Sequence, residues 1–429
     1  MTGAGASLAL GVDLGSSGLR LALVARHGAV VAEVSSPYPR PFTQPQGWLE
    51  GLEGLCRQLP RALRTRVGAV ALAGTSGTLL LCRGDGSTCA GIHRGVNLAE
   101  ALPYHLACPE QAAAAAALAA EGQAGSASSS LARALRLLEA AAASPGRQPW
   151  LLRHQADWLM GWLLGDWRWG EEGNNLRLGW DPESRSWAGE IAAQPWSSGL
   201  PAIRASGELL GAISAAAAAA LDLPPACQVV AGSTDANAAV LAAAPGDHDG
   251  VSVLGTTLVL KQWCPRPIRG PGVSCHRLAG RWLVGGASNA GAGVLRRFFS
   301  DQQLVELSRQ IDPATVSGLA LRPLPGRGER FPVDDPDLEP VLAPRPVSDA
   351  LFLQGLLEGL AEIERAGWCR LRQLGAPEVQ RVISLGGGAR NPQWRAIRQR
   401  LLGCPVLNRP GLGAALGMAR LAAAALPEP

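Results

Sequence analysis

The sequence pattern that most restricts the fold occurs twice, once in each half of the chain. The first copy, GVDLGSSGLR at 11–20, places glycine and serine between two apolar runs, and the second, VSVLGTTLVLKQW at 251–263, places Gly-Thr-Thr between two apolar runs. Such runs around a short glycine- and hydroxyl-rich segment predict two β-strands joined by a tight turn. The recurrence of this hairpin suggests a duplicated core, and the alternation of strands and helices elsewhere indicates an α/β protein.

Asp13 interrupts the first of these apolar runs. A carboxylate in a buried strand is costly unless a partner or a ligand compensates its charge. Turns rich in glycine and serine present backbone N–H groups to anions, so an anion-binding turn is one interpretation of this motif. The simpler interpretation of this motif alone is an ordinary hairpin in which Asp13 caps its own turn.

Length and composition restrict the class of protein. A chain of 429 residues, 47% apolar and 17% charged, predicts a globular protein of two domains. The first strand follows without a basic leader, and no apolar stretch approaches the ~20 residues of a membrane span, so we expect neither a signal peptide nor a membrane partner. Nine scattered cysteines without a C-x-x-C pair indicate a reducing cytoplasm and no zinc site. A net charge of +4 without a long basic run gives no indication of nucleic-acid binding.

Lys261 is the only lysine of the chain, and Gln262 follows it. A P-loop requires Gly-Lys followed by Ser or Thr, so P-loop nucleotide binding is excluded. Phosphate binding would therefore depend on backbone amides, hydroxyl groups and a metal ion. Lys261 itself is expected to be a surface or strand-end cation.

Three further segments place candidate residues. CQVVAGSTDANAAVLAAAP at 227–245 predicts a strand, a tight turn at Gly-Ser-Thr and a helix closed by Pro245, with Asp235 in its first turn beside the positive end of the helix dipole. An ordinary N-cap is the alternative for this aspartate. GTSGT at 74–78 predicts a turn between strands, and VISLGGGARNPQW at 382–394 predicts a strand, a glycine loop that a nucleotide can approach, and a helix.

Taken in order, these motifs resemble the FGGY family of carbohydrate kinases, from about residue 8 to residue 423. The resemblance implies a two-domain actin-like, ribonuclease H-like α/β fold with a cleft between the domains. Residues 1–244 would form the sugar-side domain with the catalytic aspartate, 245–412 the nucleotide-side domain, and 413–429 a helix returning to the first domain. The motifs that carry the resemblance are GVDLGSSGLR (11–20), GTSGT (74–78), HQADWLMGWLLG (154–165), NNLRLGWD (174–181), GSTDANAAV (232–240), LGTT (254–257), GGASNAGAGVL (285–295), GGGARNP (386–392) and GAALGMARLAA (413–423).

The resemblance also implies roles for individual residues. Asp235 would be the base that accepts the proton of the sugar hydroxyl, and Asp13 would hold Mg²⁺ near the phosphates of the co-substrate ATP. Asp13, Ser76 and Asp235 would contact a small-molecule sugar. The residues that would bind ATP are Ser16, Gly255, Thr256, Thr257, Gly387, Gly388, Asn391 and Trp394.

One departure from the family pattern concerns the sugar. The family commonly has an Asp-x-Arg pair after the GTSGT strand, whereas Gly95 and Asn97 occupy those positions here. The sequences of the motifs GTSGT, LGTTLVLK and GGGARNPQW are most similar to those of the small cyanobacterial and plant plastid-type kinases associated with D-ribulose. The resemblance therefore implies D-ribulose as the first candidate substrate and D-xylulose as the second, ahead of glycerol and hexoses.

Two alternatives from other classes remain open. A non-catalytic sugar or nucleotide sensor could share the fold, but it would have no use for both Asp13 and Asp235. An actin-like phosphatase or a chaperone-type ATPase would leave GTSGT and NNLRLGWD unexplained.

Overall fold

The computed structural model describes residues 7–119, 124–143 and 149–426. The first six residues, where the sequence predicts no signal peptide, and the last three residues of the predicted 413–429 helix lie outside this description. The strands are β1 (Leu8–Leu14), β2 (Leu19–Ala25), β3 (Val30–Ser36), β4 (Val67–Gly74), β5 (Leu79–Cys82), β6 (Ile92–His93), β7 (Val96–Asn97), β8 (Leu151–His154), β9 (Trp169–Glu171), β10 (Trp180–Asp181), β11 (Ser186–Trp187), β12 (Ala202–Arg204), β13 (Leu209–Ala212), β14 (Gln228–Thr234), β15 (Asp249–Leu254), β16 (Leu258–Cys264), β17 (Val273–Leu278), β18 (Arg281–Ser288), β19 (Arg381–Leu385) and β20 (Val406–Asn408).

The helices range from single turns to one of 25 residues. They are α1 (Pro45–Gln58), α2 (Arg61–Arg64), α3 (Ala112–Leu118), α4 (Ser130–Ala142), α5 (Gln155–Leu164), α6 (Glu172–Asn175), α7 (Gly189–Ala192), α8 (Ala215–Leu221), α9 (Asp235–Ala243), α10 (Ala292–Leu295), α11 (Asp301–Ser308), α12 (Asp349–Gln373), α13 (Pro392–Leu402) and α14 (Ala414–Ala423). Within the part of the chain that the structure describes, no helix combines the length and the apolar character needed to cross a membrane.

The chain forms two compact units. The first comprises Met1–Ala242, Arg277–Gly280 and Gly413–Pro429, and the second comprises Ala243–His276 and Arg281–Leu412. Each unit is built around one six-stranded mixed sheet.

The first unit has the strand order β13-β14-β4-β1-β2-β3, with β1 fully buried near the centre. β1 runs parallel to β4, and β4 runs parallel to β14, while the β1–β2 and β2–β3 pairs are antiparallel. Large apolar residues alternate with other residues along LALGVDL, so the large side chains of β1 all lie on one face and pack in the apolar core with Trp48 of α1. The other face carries Ala9, Gly11 and Asp13 and is therefore narrow, because two of its three side chains are small or absent. Helix α14 packs on that narrow face, because a Cβ at Gly11 would lie only 1.9 Å from the Ala415 carbonyl oxygen.

The second unit repeats this arrangement, with the strand order β17-β18-β16-β15-β19-β20. Here β15 pairs antiparallel with β16 and parallel with β19, β16 pairs antiparallel with β18, and β19 runs parallel to β20. These pairs correspond one to one to β1 with β2 and β4, β2 with β3, and β4 with β14. The duplicated core and both hairpins expected from the sequence are therefore confirmed.

The predicted tight turn at Gly-Ser-Thr before Asp235 is wrong. Strand β14 continues to Thr234, with a shift in its register against β4 between Val230 and Ser233, and helix α9 begins at the next residue. Gly232 lies against the neighbouring strand, where a Cβ would stand 1.7 Å from the Leu72 carbonyl oxygen. The glycine therefore permits close approach within the sheet and does not end the strand.

The expectation that Lys261 is a surface or strand-end cation is also wrong. Lys261 lies in the middle of β16, between β15 and β18, and only 4% of its surface is exposed. Its ammonium group donates a hydrogen bond to Ser274 Oγ at 2.8 Å. Burial lowers the pKa of Lys261 to about 8.

A buried ion pair holds two helices of the second unit together. The Arg398 guanidinium on α13 donates to both carboxylate oxygens of Glu364 on α12, at 2.5 and 2.7 Å, and both side chains are excluded from solvent. Ser252 of β15 donates to the same carboxylate, and Arg398 donates to Ser384 of β19. This network connects the two helices to adjacent strands of the sheet.

Candidate active site

Three candidate residues lie at one edge of the first sheet. β1, β4 and β14 are adjacent and parallel, and Leu14 and Thr234 both pair with Gly74 at the ends of their strands. Asp13 therefore lies at the carboxyl end of β1, Ser76 just beyond β4, and Asp235 just beyond β14. Ligands of open α/β sheets bind outside the carboxyl ends of the strands, so this edge is where a site is expected.

Asp13 is buried, as its apolar surroundings in the sequence predict. The residue is 4% exposed, and its Oδ2 accepts a hydrogen bond of 3.0 Å from Arg20, its cross-strand partner in the β1–β2 hairpin. Burial raises the pKa of Asp13, and the charge of Arg20 opposes this rise. Among the described residues, none donates a hydrogen bond to the other oxygen, Oδ1.

Asp235 opens helix α9, as the sequence predicts, and is half-buried. Its Oδ1 accepts a hydrogen bond of 2.7 Å from the Ala236 backbone N–H. Burial raises the pKa of Asp235 to about 6, and the negative charge of Asp13 adds to this rise. The side chain thus lies among protein atoms but keeps a surface that water reaches.

Close helix packing supports the approach of Asp235 to Asp13. Helix α14 rests on the narrow face of β1, and a Cβ on Gly417 of α14 would lie 1.8 Å from the Ala238 carbonyl oxygen of α9. Small residues therefore let α9 approach α14, and α14 approach the face of β1 that carries Asp13. The structure brings the two carboxylates close enough for their charges to interact.

Ser76 is half-buried in the loop between β4 and β5. The loop is held from behind by Arg133 of α4, a fully buried arginine whose guanidinium donates to the carbonyl oxygens of Gly77 at 2.8 Å and Leu106 at 2.7 Å. Burial lowers the pKa of Arg133 to about 10. Its hydrogen bonds to backbone carbonyls fix the loop and leave Ser76 accessible.

The β1–β2 turn carries Ser16, which is exposed. The backbone of this turn is fixed by Tyr38, whose hydroxyl donates a hydrogen bond of 2.8 Å to the Gly15 carbonyl. An exposed hydroxyl on a fixed turn is suited to bind an anion. The phosphate contact that the resemblance implies for Ser16 stays a prediction.

The candidate nucleotide residues of the second unit also share one sheet edge. Gly255, Thr256 and Thr257 form the β15–β16 turn, and Gly387 and Gly388 follow β19, which runs parallel to β15. Thr256 is exposed, and the backbone N–H of Gly293 donates to its carbonyl at 3.2 Å. The hydroxyl turn and the glycine loop thus occur at the carboxyl ends of neighbouring strands, as at the edge of the first sheet.

Two residues that the sequence assigns to the nucleotide have structural partners here. Asn391 caps helix α13 by accepting from Trp394 N–H at 2.9 Å, and its amide donates to Ser308 Oγ at 2.8 Å. Trp394 is 3% exposed, and a Cβ on Gly388 would lie 2.4 Å from its ring. Trp394 therefore packs against the glycine loop.

The residues present fit a magnesium ion held by few protein ligands. In the described ranges no group of three or more His, Cys, Asp and Glu side chains could hold a metal. Mg²⁺ commonly binds one or two carboxylates together with substrate phosphates, and keeps several waters. Asp13 Oδ1, which is buried and accepts no hydrogen bond from the described residues, is the atom available for that role.

The sequence interpretation assigned no role to Arg20, Tyr38 and Arg133, which support the residues above, or to Gln155, whose side-chain oxygen accepts from the Thr75 backbone N–H next to Ser76. Arg20 could have been found from the register of the hairpin, which places it opposite Asp13. Arg133, Tyr38 and Gln155 are distant in sequence from the loops they contact, so no local pattern identifies them.

Comparison with known proteins supports the fold and finds a family match for the second part of the chain. Residues 250–426 match the family model of the C-terminal domain of the FGGY family of carbohydrate kinases. A xylulose kinase from Brucella ovis has a TM-score of 0.80 at 21% identity, covering 98% of this chain and 91% of that chain. A xylulose kinase from Rhodospirillum rubrum has a TM-score of 0.79 at 22% identity, covering 97% and 90%. A Plasmodium falciparum glycerol kinase with ADP has a TM-score of 0.77 at 14% identity, covering 97% and 89%. The α/β class and the two-domain actin-like ATPase fold are confirmed.

Proposed function

We propose that this chain is an ATP-dependent sugar kinase, because residues 250–426 match the family model of the C-terminal domain of the FGGY carbohydrate kinases. It transfers the γ-phosphate of ATP to the terminal hydroxyl of a ketopentose, with D-ribulose as the leading substrate and D-ribulose 5-phosphate as the product. The observation that supports this most directly is the position of Asp13, Ser76 and Asp235 at the carboxyl ends of three adjacent parallel strands.

Asp235 acts as the general base in this proposal. With a pKa of about 6 it is ionised at pH 7, yet it is a stronger base than an ordinary aspartate. It accepts the proton of the sugar hydroxyl as that oxygen attacks the γ-phosphorus, and ADP leaves. A sugar bound at the exposed surface of Asp235 would displace water from this base, which favours transfer to the sugar over hydrolysis of ATP.

Asp13 and the turn that follows it serve the phosphates. Asp13 Oδ1 would hold Mg²⁺, which supplies positive charge to the phosphate oxygens when bound. Ser16 of the same turn would donate its hydroxyl to a phosphate oxygen. Arg20 fixes the Asp13 carboxylate through Oδ2 and so leaves Oδ1 available.

The second unit would bind the nucleotide. Gly255, Thr256 and Thr257 would contact phosphates through a backbone amide and two hydroxyls, and Gly387 and Gly388 would leave room for the adenosine, with Asn391 and Trp394 supporting that loop. This division assigns the sugar and the base to the domain of residues 1–244 with the terminal helix 413–429, and the nucleotide to residues 245–412.

The choice of sugar depends on the positions of the family's Asp-x-Arg pair, which Gly95 and Asn97 occupy here. Asn97, at one of these positions, donates to Glu100 at 3.1 Å and accepts from the Ala99 N–H, so its amide already has partners in its own loop. Ser76 offers a hydroxyl without a charge. A missing charged hydrogen bond weakens sugar binding roughly tenfold to a hundredfold, so we expect a high KM and side activity on D-xylulose.

The experiment compares D-ribulose, D-xylulose, L-ribulose and glycerol as acceptors with ATP and Mg²⁺. ADP release gives kcat/KM, mass spectrometry identifies the phosphorylated product, and Asp235→Asn is the matched control for contaminating kinases. We expect D-ribulose to be preferred. A preference for D-xylulose or glycerol by about tenfold or more would show that the D-ribulose assignment is wrong. Sugar binding without phosphorylation of any acceptor would replace the kinase by a non-catalytic sensor.

A further inference from the structure

A line of hydrogen bonds within the first unit connects the turn after Asp13 to the loop that carries Ser76. The Tyr38 hydroxyl lies 2.8 Å from the Gly15 carbonyl oxygen, and Gln155 Nε2 lies 3.3 Å from the Tyr38 hydroxyl. On its other side, Gln155 Oε1 lies 3.2 Å from the Thr75 backbone nitrogen and 2.9 Å from Thr75 Oγ1. One buried amide thus reaches both segments that the proposed reaction uses.

The line continues past Thr75 to the far side of the same loop. Thr75 Oγ1 lies 2.7 Å from Thr78 Oγ1, and Thr78 Oγ1 accepts a hydrogen bond from the Tyr104 backbone N–H at 3.2 Å. The backbone N–H of Gln155 also donates to the Thr78 carbonyl at 3.0 Å. Ser76 therefore lies between two threonines that are both tied to Gln155.

The available protons permit only one direction for these hydrogen bonds. The Thr75 N–H is solely a donor, so the Gln155 oxygen must face Thr75 and its NH₂ group must face Tyr38. The Tyr38 hydroxyl accepts from that NH₂ group, and its own proton goes to the Gly15 carbonyl. Because the Thr75 hydroxyl proton goes to Gln155, the proton between the two threonines belongs to Thr78.

Burial makes this arrangement costly to break. Gln155 and Thr78 are fully buried, and Thr75 is 3% exposed. Burial also raises the pKa of the Tyr38 hydroxyl, which therefore remains a donor at physiological pH. Removing one partner would leave a buried donor or acceptor unsatisfied, and water does not readily replace it.

We propose that Tyr38 and Gln155 are positioning residues that couple sugar binding at Ser76 to phosphate binding at the turn after Asp13. This inference rests on the proposed kinase function. A sugar that binds Ser76 adds to the contacts that hold Thr75 against Gln155. Gln155 in turn holds Tyr38 against the Gly15 carbonyl of the phosphate turn. Each ligand is then expected to increase the affinity of the other by the same factor.

The two tyrosines of the chain supply a variant and its matched control. Tyr38→Phe removes the hydroxyl that joins Gln155 to Gly15. Tyr104→Phe makes the same chemical change at a side chain that is 38% exposed, and it retains the backbone N–H that Thr78 accepts. Isothermal titration calorimetry measures the Kd of a non-hydrolysable ATP analogue with and without saturating D-ribulose, and steady-state kinetics gives KM and kcat.

In the wild type and in Tyr104→Phe, we expect D-ribulose to tighten binding of the analogue. In Tyr38→Phe, this tightening should fall by about tenfold, while binding of the analogue alone changes little. A residue that only stabilises the fold would change the thermal midpoint without changing the ratio of the two Kd values. The same ratio in Tyr38→Phe and Tyr104→Phe would overturn the coupling.

Thr78 gives a second test if Tyr38→Phe does not fold. Thr78→Val removes the hydroxyl at nearly constant volume, and Thr78→Ser keeps it, so only the valine variant should lose the coupling. Loss in both variants, or in neither, would overturn the inference. If the wild type phosphorylates D-ribulose but these variants keep the wild-type ratio of Kd values, only the proposed coupling is refuted. A wild type that phosphorylates no ketopentose refutes the proposed function and the coupling with it.

Discussion

Replacing Asp235 by asparagine should make the protein more stable at pH 7. Burial and the charge of Asp13 raise the pKa of Asp235 from its ordinary 3.8 to about 6. This difference of roughly two units corresponds to about 3 kcal/mol at 1.36 kcal/mol per unit. Because the side chain keeps some contact with water, we expect a gain of ~1–3 kcal/mol in the free energy of unfolding.

The sign of this effect depends on pH. The folded state binds the Asp235 proton more tightly than the unfolded state, so the stabilising effect of protonation is fully present below about pH 4. It is lost as the pH rises to about 6, where the folded protein must hold a charged carboxylate. Asparagine carries no charge, so the wild type and the variant should have similar stability near pH 4 and differ above pH 6.

Activity should change in the opposite direction. Asparagine keeps the shape of the side chain but accepts no proton, so kcat should fall ~10²–10⁴-fold while nucleotide binding persists. In the wild type, kcat/KM should fall about tenfold per pH unit below pH 6, as the base becomes protonated. A stability gain paired with a loss of activity is expected where a functional group is held in an unfavourable environment.

Urea unfolding followed by tryptophan fluorescence, at pH 4.5 and at pH 7, measures the first effect. Asp334→Asn is the matched control, because Asp334 is exposed in the second unit. An Asp235→Asn variant that is no more stable than the wild type at pH 7 would refute the argument from burial. Near-normal kcat in that variant would refute the assignment of the base.

Other substitutions test the metal site, the buried lysine and the buried ion pair. Asp13→Ala should lose activity that high Mg²⁺ partly restores, whereas high Mg²⁺ should not restore Asp235→Asn; an unchanged Asp13 variant in a Mg²⁺ titration would refute the metal role. Lys261 has a pKa near 8 in place of 10.5, so it binds its proton less tightly in the folded state than in the unfolded state. The free energy of unfolding of the wild type should therefore rise relative to that of Lys261→Met as the pH increases from about 8 to 10.5. Parallel dependences of the two proteins in denaturation experiments would contradict the burial of that ammonium group. Glu364→Gln should reduce the free energy of unfolding by ~3–5 kcal/mol, because it leaves the buried charge of Arg398 uncompensated. The control for it is Glu362→Gln, at an exposed position of the same helix, and equal effects of the two substitutions would disprove the argument.

The sequence determined the features that depend on short-range pattern. The apolar runs on either side of GSSG and GTT indicated two hairpins and a duplicated core, and the structure contains both hairpins. Such hairpins can be predicted because two strands that are consecutive in sequence need only a suitable turn between them. The apolar surroundings of Asp13 indicated its burial, and the helix-forming run after Asp235 indicated the helix start. The ordered motifs indicated the fold.

Tertiary structure decided the rest, because sequence periodicity shows which face of a strand a residue occupies but not what covers that face. Lys261 is buried in a central strand, where its ammonium group donates to Ser274 of β17. β14 extends through Gly232 because a neighbouring strand continues beside it. Gln155 reaches Tyr38 across 117 positions of sequence and Thr75 across 80, so only the packed sheet brings them into contact. The order β14-β4-β1 likewise places Asp13, Ser76 and Asp235 at one edge, since hydrogen bonding between distant strands fixes which strand ends are neighbours.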